Sequence, residues 1–272
     1  DVMGAKFAID TNAIEAALSR HAKACLQISG GKDSLATLHV LRPYWNRITV
    51  AWLDTGDAPV ETHEQMRRIA ETVPSFLHMK SDQPSVIRDF GIPLDLTPPP
   101  HQPFGTGMHP ASPRAQGRYQ CCARVIWQPM ADYMMAHGFT LWIRGQKNSD
   151  ALQPNVKQGY DNVLSGVEIM FPINEWADAD VVEYLAEIGA TEPAYYRYGR
   201  SNIDCVTCPA YLTEFDRSAY VERHEPSKLE TLRDRVAYAA ASISENVAAL
   251  VAEHNRIKTA IPGRLPLRQL EH

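Results

Sequence analysis

The nine residues Leu26-Gln-Ile-Ser-Gly-Gly-Lys-Asp-Ser34 constrain the fold of this chain more than any other stretch. Cys25 to Ile28 is a short apolar run with the composition of a buried strand, and Leu35, Leu38, Val40 and Leu41 follow at near-helical spacing. The polar turn between them joins a strand to a helix N-terminus, where unpaired N–H groups and the positive end of the helix dipole favour an anion. Gly30 and Gly31 let the backbone approach closely and adopt dihedrals closed to other residues. Lys32 adds a mobile charge, and Ser29 and Ser34 add hydroxyls. The turn is a phosphate cradle but not a Walker A loop, which would place Gly at Leu26 and Ser or Thr at Asp33. A lone Gly-Gly-Lys would read as an ordinary strand-to-helix turn; the whole hexamer after a strand favours the phosphate cradle.

Ile48-Thr-Val-Ala-Trp-Leu53 is a second buried-strand run, so the chain opens as a strand-helix-strand unit with a parallel sheet. Parallel sheets bind ligands at the carboxyl ends of their strands, which places Asp54-Thr55-Gly56-Asp57 beside the cradle and makes Asp54 a candidate for Mg2+. By the same logic Leu141 to Arg144 is a strand whose following turn, Gly145-Gln-Lys147-Asn-Ser149, joins the nucleotide site. Residues 1–24 read as one amphipathic helix with Ile14, Ala17 and Leu18 as its stripe, Glu61 to Val73 as a helix and Ser75 to Met79 as a strand. His63 and His78 read as surface or core residues. Residues 91–120 carry seven prolines and read as an irregular segment, a substrate lid or a disordered loop, ending in Arg114 and Arg118 as an anion clamp or as solvated charges. Asp178 reads as a helix N-cap, and Tyr195 to Arg200 as core aromatics or as a stretch that stacks on or holds a nucleobase or phosphate. From Glu214 helical spacing dominates, with Arg233, Arg235 and Lys258 outside. The expected fold is α/β, a parallel twisted sheet flanked by helices, with a nucleotide domain over 1–210 and a helical C-terminal extension over 211–272 that is a candidate oligomer contact.

Hydrophobic residues at 44% and charged residues at 22% suit a globular chain, and no apolar run reaches the roughly 20 residues of a membrane span, so a cytoplasmic location is expected. The net charge of −5 gives no global nucleic-acid footprint. Of five cysteines, Cys121-Cys122 and Cys205-x-x-Cys208 form two tight pairs, whereas Cys25 sits in a strand and reads as inert. Four thiolates suit a tetrahedral zinc or a 4Fe-4S cluster. Zinc knuckles are commonly two Cys-x-x-Cys pairs, while adjacent cysteines suit two irons of one cluster, so the spacing favours iron and sulfur.

The Ser-Gly-Gly-Lys-Asp-Ser order resembles the pyrophosphate loop of the ATP pyrophosphatases, the adenine-nucleotide alpha-hydrolase-like enzymes. Asp54-Thr-Gly with Glu61-Thr62, Cys121-Cys122 with Arg124 and Pro129, Gly145 to Ser149, Pro172 to Trp176 with Asp180, and Cys205-x-x-Cys208 extend the resemblance to the iron-sulfur branch of the phosphoadenylyl-sulfate reductase family, over about two thirds of the chain. That resemblance implies a Rossmann-like fold and an adenine nucleotide as ligand, either ATP or an adenylyl sulfate. It further implies Ser29, Gly30, Gly31, Lys32, Asp33, Ser34, Asp54, Thr55, Gly56, Gly145, Lys147 and Ser149 around the nucleotide, with Lys32, Asp33 and Asp54 catalytic and Asp33 and Asp54 around Mg2+. The four paired cysteines are then the cluster ligands.

Two departures bear on the reaction. The assimilatory reductases carry a nucleophilic cysteine in a C-terminal Glu-Cys-Gly-Leu-His, and no cysteine follows Cys208 here. The loop also carries Gly-Gly-Lys-Asp, as in members that cleave ATP between its alpha and beta phosphates. The expected activity is therefore an ATP pyrophosphatase that adenylates an acceptor and takes part in sulfur transfer, with a nucleic-acid acceptor and a sulfur donor as implied partners. The alternatives are a sulfonucleotide reductase served by a thioredoxin-like reductant and a non-catalytic nucleotide-binding module.

Overall fold

The runs at 24–28, 48–54 and 141–144 are buried over most of their length on both faces, as strands covered by helices on both sides are. The computed structural model describes residues 7, 9–95, 115–148, 150, 157–161, 166–199, 202–212 and 214–260. In chain order these form α1 (Thr11–Arg20), β1 (Ala24–Ile28), α2 (Lys32–Val40), β2 (Ile48–Asp54), α3 (Val60–Thr72), β3 (Phe76–Lys80), α4 (Gln83–Phe90), β4 (Ile92–Leu94), β5 (Ala115–Gly117), α5 (Arg118–Cys122), α6 (Gln128–Ala136), β6 (Leu141–Arg144), β7 (Gly159–Tyr160), β8 (Glu168–Met170), α7 (Asp178–Glu187), α8 (Arg217–His224) and α9 (Leu229–Ala260). A π-helical turn, Ala123–Trp127, joins α5 to α6 directly after Cys122.

The main sheet runs β3-β2-β1-β6-β8-β7 and is parallel except for the edge strand β7. Its order reverses between β1 and β6, which are hydrogen-bonded neighbours with Gln27 opposite Arg144. Side-chain alternation divides the core. Leu26, Ile28, Val50, Trp52, Leu141 and Ile143 meet α1, α2, α3 and α7 on one face. Cys25, Ala51, Leu53, Trp142 and Ile169 meet Met130 and Met134 of α6 on the other. The expected α/β fold with a mostly parallel sheet and C-terminal helices is the observed one.

Several local expectations need correction. The first helix spans only Thr11–Arg20, because Asp10 caps it by accepting from the Ala13 N–H at 2.8 Å and β1 begins at Ala24. Residues 91–120 are not irregular throughout: Ile92–Leu94 and Ala115–Gly117 pair in parallel as a small second sheet, while 96–114, with Arg114, lie outside the described residues. The N-cap of α7 is Ala177, whose N–H donates to Asp180 at 2.7 Å, and Asp178 faces elsewhere. Arg235 is not a solvated charge: its guanidinium donates to Thr207 Oγ1 at 2.5 Å and to Gln83 at 3.2 Å. Among the described residues no helix is long and apolar enough to cross a membrane.

At the opposite end of the sheet from the cradle, Glu168 of β8 accepts from Arg20 Nη2 and pairs with His21 Nε2, each at 2.7 Å. Burial opposes this charge, but the bonds from Arg20 and His21 hold the carboxyl below its ordinary value of 4.5. A depressed folded pKa stabilises above the unfolded value and is lost as pH falls through the folded one. Melting temperatures of wild type and Glu168→Gln should therefore differ above pH 4.5 and converge on acidification; a difference that is constant with pH would remove this role.

Candidate functional site

The order reversal opens a crevice at the carboxyl ends of β1 and β6, the place where open parallel sheets bind ligands. Gly30 takes a left-handed φ of +89°, and its missing side chain lets Gln65 Oε1 and Thr62 approach. Thr62 Oγ1 and Gln65 Oε1 are buried without a hydrogen-bond partner. Gly145 is the tighter contact, since a Cβ there would lie 2.6 Å from the carbonyl carbon and oxygen of Asp33 and 2.7 Å from the Ser34 nitrogen. The turn after β6 thus lies directly on the first turn of α2. Ser34 Oγ donates to the Gly31 carbonyl at 2.8 Å, closing the cradle on itself.

Two lysines converge on this helix start. Lys147 is 1% exposed, and its Nζ lies 2.6 Å from Asp33 Oδ1, 2.9 Å from Asp150 Oδ1 and 3.3 Å from Asp178 Oδ1. Lys32 Nζ is 3.0 Å from Asp33 Oδ1 and 2.6 Å from Asp178 Oδ1. Burial works against the Lys147 charge, but Asp33 and Asp150 outweigh it and hold its pKa above the ordinary lysine value. The Lys32 hydrogen bond, followed by the charge of Lys147, holds Asp178 below the usual carboxylate range. Tyr196 closes the near side: its hydroxyl accepts at 3.1 Å from the Lys32 N–H, a helix-start donor with no intrahelical acceptor.

Asp54 ends β2, where its Oδ1 accepts from the Gly56 N–H at 2.9 Å. His63 and His78 flank it at 3.8 and 3.7 Å, both half-exposed and both in ring contact with Trp52. The rest of that turn reaches across to the cysteines. Thr55 Oγ1 donates to the Asp204 carbonyl at 2.8 Å. The Asp57 carbonyl accepts from the Val206 N–H at 2.8 Å, and Asp57 Oδ2 accepts from the Thr207 N–H at 2.8 Å and hydroxyl at 2.6 Å. Both residues between Cys205 and Cys208 are therefore held by the loop that follows β2. Glu61, at the start of α3, accepts from the N–H groups of Ala194 and Tyr195 and from the Tyr220 hydroxyl, fixing the segment that delivers Tyr196.

Cys121, Cys122, Cys205 and Cys208 line one cavity of about 150 Å3 together with Gln83, Arg118 and Arg217. Among the described residues no three His, Cys, Asp or Glu side chains are grouped as ligands of a metal ion. The donor chemistry nonetheless suits a bulkier anionic group: Gln83 Nε2 and Arg217 Nε belong to the lining residues and are buried donors with no acceptor. Burial and neighbouring Cys208 push the Cys121 thiol up to about 12, and burial and Asp204 do the same for Cys122. Loading such a site would release protons. Arg118 is neither a free clamp nor solvated, since it pairs with Asp95 and Glu214 and lies over the Tyr119 and Tyr211 rings.

The structure brings Ser29 to Ser34, Asp54 to Gly56, Gly145 and Lys147 to the strand ends, and the four paired cysteines to a neighbouring cavity; Ser149 lies outside the described residues. Sequence spacing does not single out Asp150, Arg217 or Gln83, and it places Asp57 beside the cradle without its contacts to the cysteine loop, because these roles depend on contacts distant in sequence. Tyr196 stands at the cradle, in line with the ligand-holding alternative for its stretch, while Asp178 serves as a partner of Lys32 and not as a cap. A solved phosphoadenylyl-sulfate (PAPS) reductase from Candida auris, in a phosphate complex, is 16% identical and superposes with a TM-score of 0.50 over 71% of this chain and 86% of its own, a likeness of fold. No curated protein sequence matches. The profile of the phosphoadenosine phosphosulfate reductase domain matches residues 23–211, spanning both the cradle and the cysteines, and the chain therefore belongs to the phosphoadenosine phosphosulfate reductase family.

Proposed function

We propose that this member of an enzyme family binds ATP across the carboxyl ends of β1, β2 and β6, cleaves it between the alpha and beta phosphates and adenylates an acceptor oxygen. The observation that carries this is the convergence of Lys32 and Lys147 on the first turn of α2, two ammonium groups at a helix start whose first N–H groups have no intrahelical acceptor. That is the charge a leaving pyrophosphate needs. Ser29, Gly30, Gly31, Lys32 and Ser34 bind it, and Lys147 neutralises it from the β6 side. Chemistry of this kind is mainly positioning and charge neutralisation, so no base and nucleophile pair is required. Asp33 serves as the shared counter-ion that fixes both lysines, which leaves Asp54 as the carboxylate that would hold magnesium with the phosphate oxygens. Cys121, Cys122, Cys205 and Cys208 would hold a 4Fe-4S cluster, which would supply a redox-active, sulfur-handling centre next to the nucleotide.

The family and the fold also favour a second function, reduction of a sulfonucleotide with release of sulfite. One anaerobic experiment separates them: purified protein with magnesium and ATP, in parallel with adenylyl sulfate and reduced thioredoxin, following pyrophosphate and sulfite with and without a nucleic-acid acceptor. Pyrophosphate from ATP is expected, with Lys32→Ala slower by roughly 10²–10³-fold. Sulfite in its place would establish the reductase, and binding with neither product would leave a non-catalytic module.

A further inference from the structure

Gln83 opens α4, where its N–H donates to the Thr55 carbonyl at 2.8 Å, and Arg217 opens α8. Both side chains line the cavity of the four paired cysteines, and both are nearly buried, at 1% and 6% exposed. The Gln83 amide has one favourable orientation. Its Oε1 accepts from Arg235 Nη1 at 3.2 Å, and a guanidinium offers no acceptor, so the amide nitrogen points away from Arg235. Arg217 is anchored through Nη1, which donates to the Cys205 carbonyl at 2.7 Å and to the Val206 carbonyl at 3.4 Å, and its guanidinium lies over the Phe215 ring. Each side chain is left with one buried nitrogen donor that has no acceptor, Gln83 Nε2 and Arg217 Nε.

Buried donors are almost always paired, and each exception in a native fold has a reason. Asp204 also lines the cavity and senses the Arg217 charge, but its carboxylate accepts from Asn202 at 2.9 Å and from neither of these two donors. Protonated thiols are weak acceptors. Thiolates and inorganic sulfides are anionic, and hydrogen bonds to anions are shorter and about twice as strong as those between neutral groups. Two donors that reach one cysteine cavity from two helix starts therefore gain their acceptors when the cysteines are loaded.

We infer that Gln83 and Arg217 donate hydrogen bonds to the sulfur atoms of the cluster and thereby set its reduction potential. This rests on the 4Fe-4S assignment of the four cysteines. The oxidised core with its thiolates is a dianion, and the single electron it accepts makes it a trianion. Donors directed at its sulfurs stabilise the more negative state more strongly, so they raise the potential. Neither residue is a ligand and neither gives up a proton; they act on the cluster only through the field of their N–H groups.

Anaerobic titration of the reconstituted full chain with dithionite, followed by absorbance and by the EPR signal of the reduced cluster, tests this in wild type, Gln83→Met, Gln83→Glu and Arg217→Lys. Gln83→Met keeps the volume and removes the donor, and should shift the one-electron reduction equilibrium about tenfold toward the oxidised form, about 59 mV. Gln83→Glu keeps the acceptor for Arg235 but puts a carboxylate oxygen in place of the donor, and should shift it further. Arg217→Lys keeps the charge without the Nε–H and should shift it less than Gln83→Met. Reduced wild type grown on arginine labelled with heavy nitrogen should show a weak nitrogen coupling in pulsed EPR that Arg217→Lys lacks, and the wild-type spectrum stands even where a variant fails to load. Equal potentials in wild type and Gln83→Met, a higher potential in Gln83→Glu, or no nitrogen coupling in wild type would overturn the tuning and leave the cluster standing. A wild type that takes up zinc, or no iron, under the same reconstitution would overturn the cluster and the tuning together.

Discussion

Gly145→Ala should lower the melting temperature by roughly 5–10 °C and slow pyrophosphate release from ATP by about a hundredfold. A methyl group at Gly145 would sit 2.6 Å from the Asp33 carbonyl and 2.7 Å from the Ser34 nitrogen, both backbone atoms of the first turn of α2. Neither can rotate away as a side-chain end would, so either the β1–β6 pairing or the start of α2 must move. The strain then appears where the cradle N–H groups and the Asp33 contacts of Lys32 and Lys147 are set. Gly138→Ala is the comparison. Gly138 has a φ of +72° with open space around it, so that variant should show about 1 kcal/mol of backbone strain and normal turnover. If the two variants melted and turned over alike, close approach at Gly145 would not be what positions the cradle.

That contact shows which parts of the site the sequence can reveal. The apolar runs at β1, β2 and β6 identify parallel strands, and parallel strands place the residues after Ile28, Leu53 and Arg144 at one edge by rule, so the cradle, Asp54 and Lys147 could be assembled without coordinates. The paired cysteines carried their own signal in their spacing. Asp33 was harder. A carboxylate in a phosphate loop suggests magnesium, and only the placement of Lys147, in the turn after β6 and more than a hundred residues away, shows it to be paired with two ammonium groups. Arg235 likewise belongs to an outward-looking helical pattern, yet α9 crosses the cysteine loop and buries it. Local pattern reports the periodicity of a helix. It does not report which turn of that helix another loop will touch.

Asp57→Ala should be the most destabilising single change in the network around the cysteines. Asp57 is 6% exposed, and its carboxylate accepts both the N–H and the hydroxyl of Thr207 while lying 3.2 Å from Lys228 Nζ and 3.9 Å from Arg235 Nη1. Removing one member of a buried ionic network costs about 3–5 kcal/mol, because the remaining partners stay buried and uncompensated. For a chain of this size that is a fall of roughly 6–15 °C in melting temperature. The local effect should be sharper than the global one. With Thr207 released, the turn between Cys205 and Cys208 opens without the rest of the domain, and both thiols of the metal-free protein should react with a disulfide reagent at least about tenfold faster than in wild type. Asp57→Asn keeps an acceptor for Thr207 and should fall between. Since Asp57 lies three residues after Asp54, a ligand that orders the turn after β2 also orders the cysteine turn, and binding equilibria are reciprocal. ATP should therefore slow labelling of Cys205 and Cys208 in wild type and leave it unchanged in Asp57→Ala. Protection that persisted in Asp57→Ala would show that the two sites communicate by another route, with Thr55 and its bond to the Asp204 carbonyl as the next connection to cut.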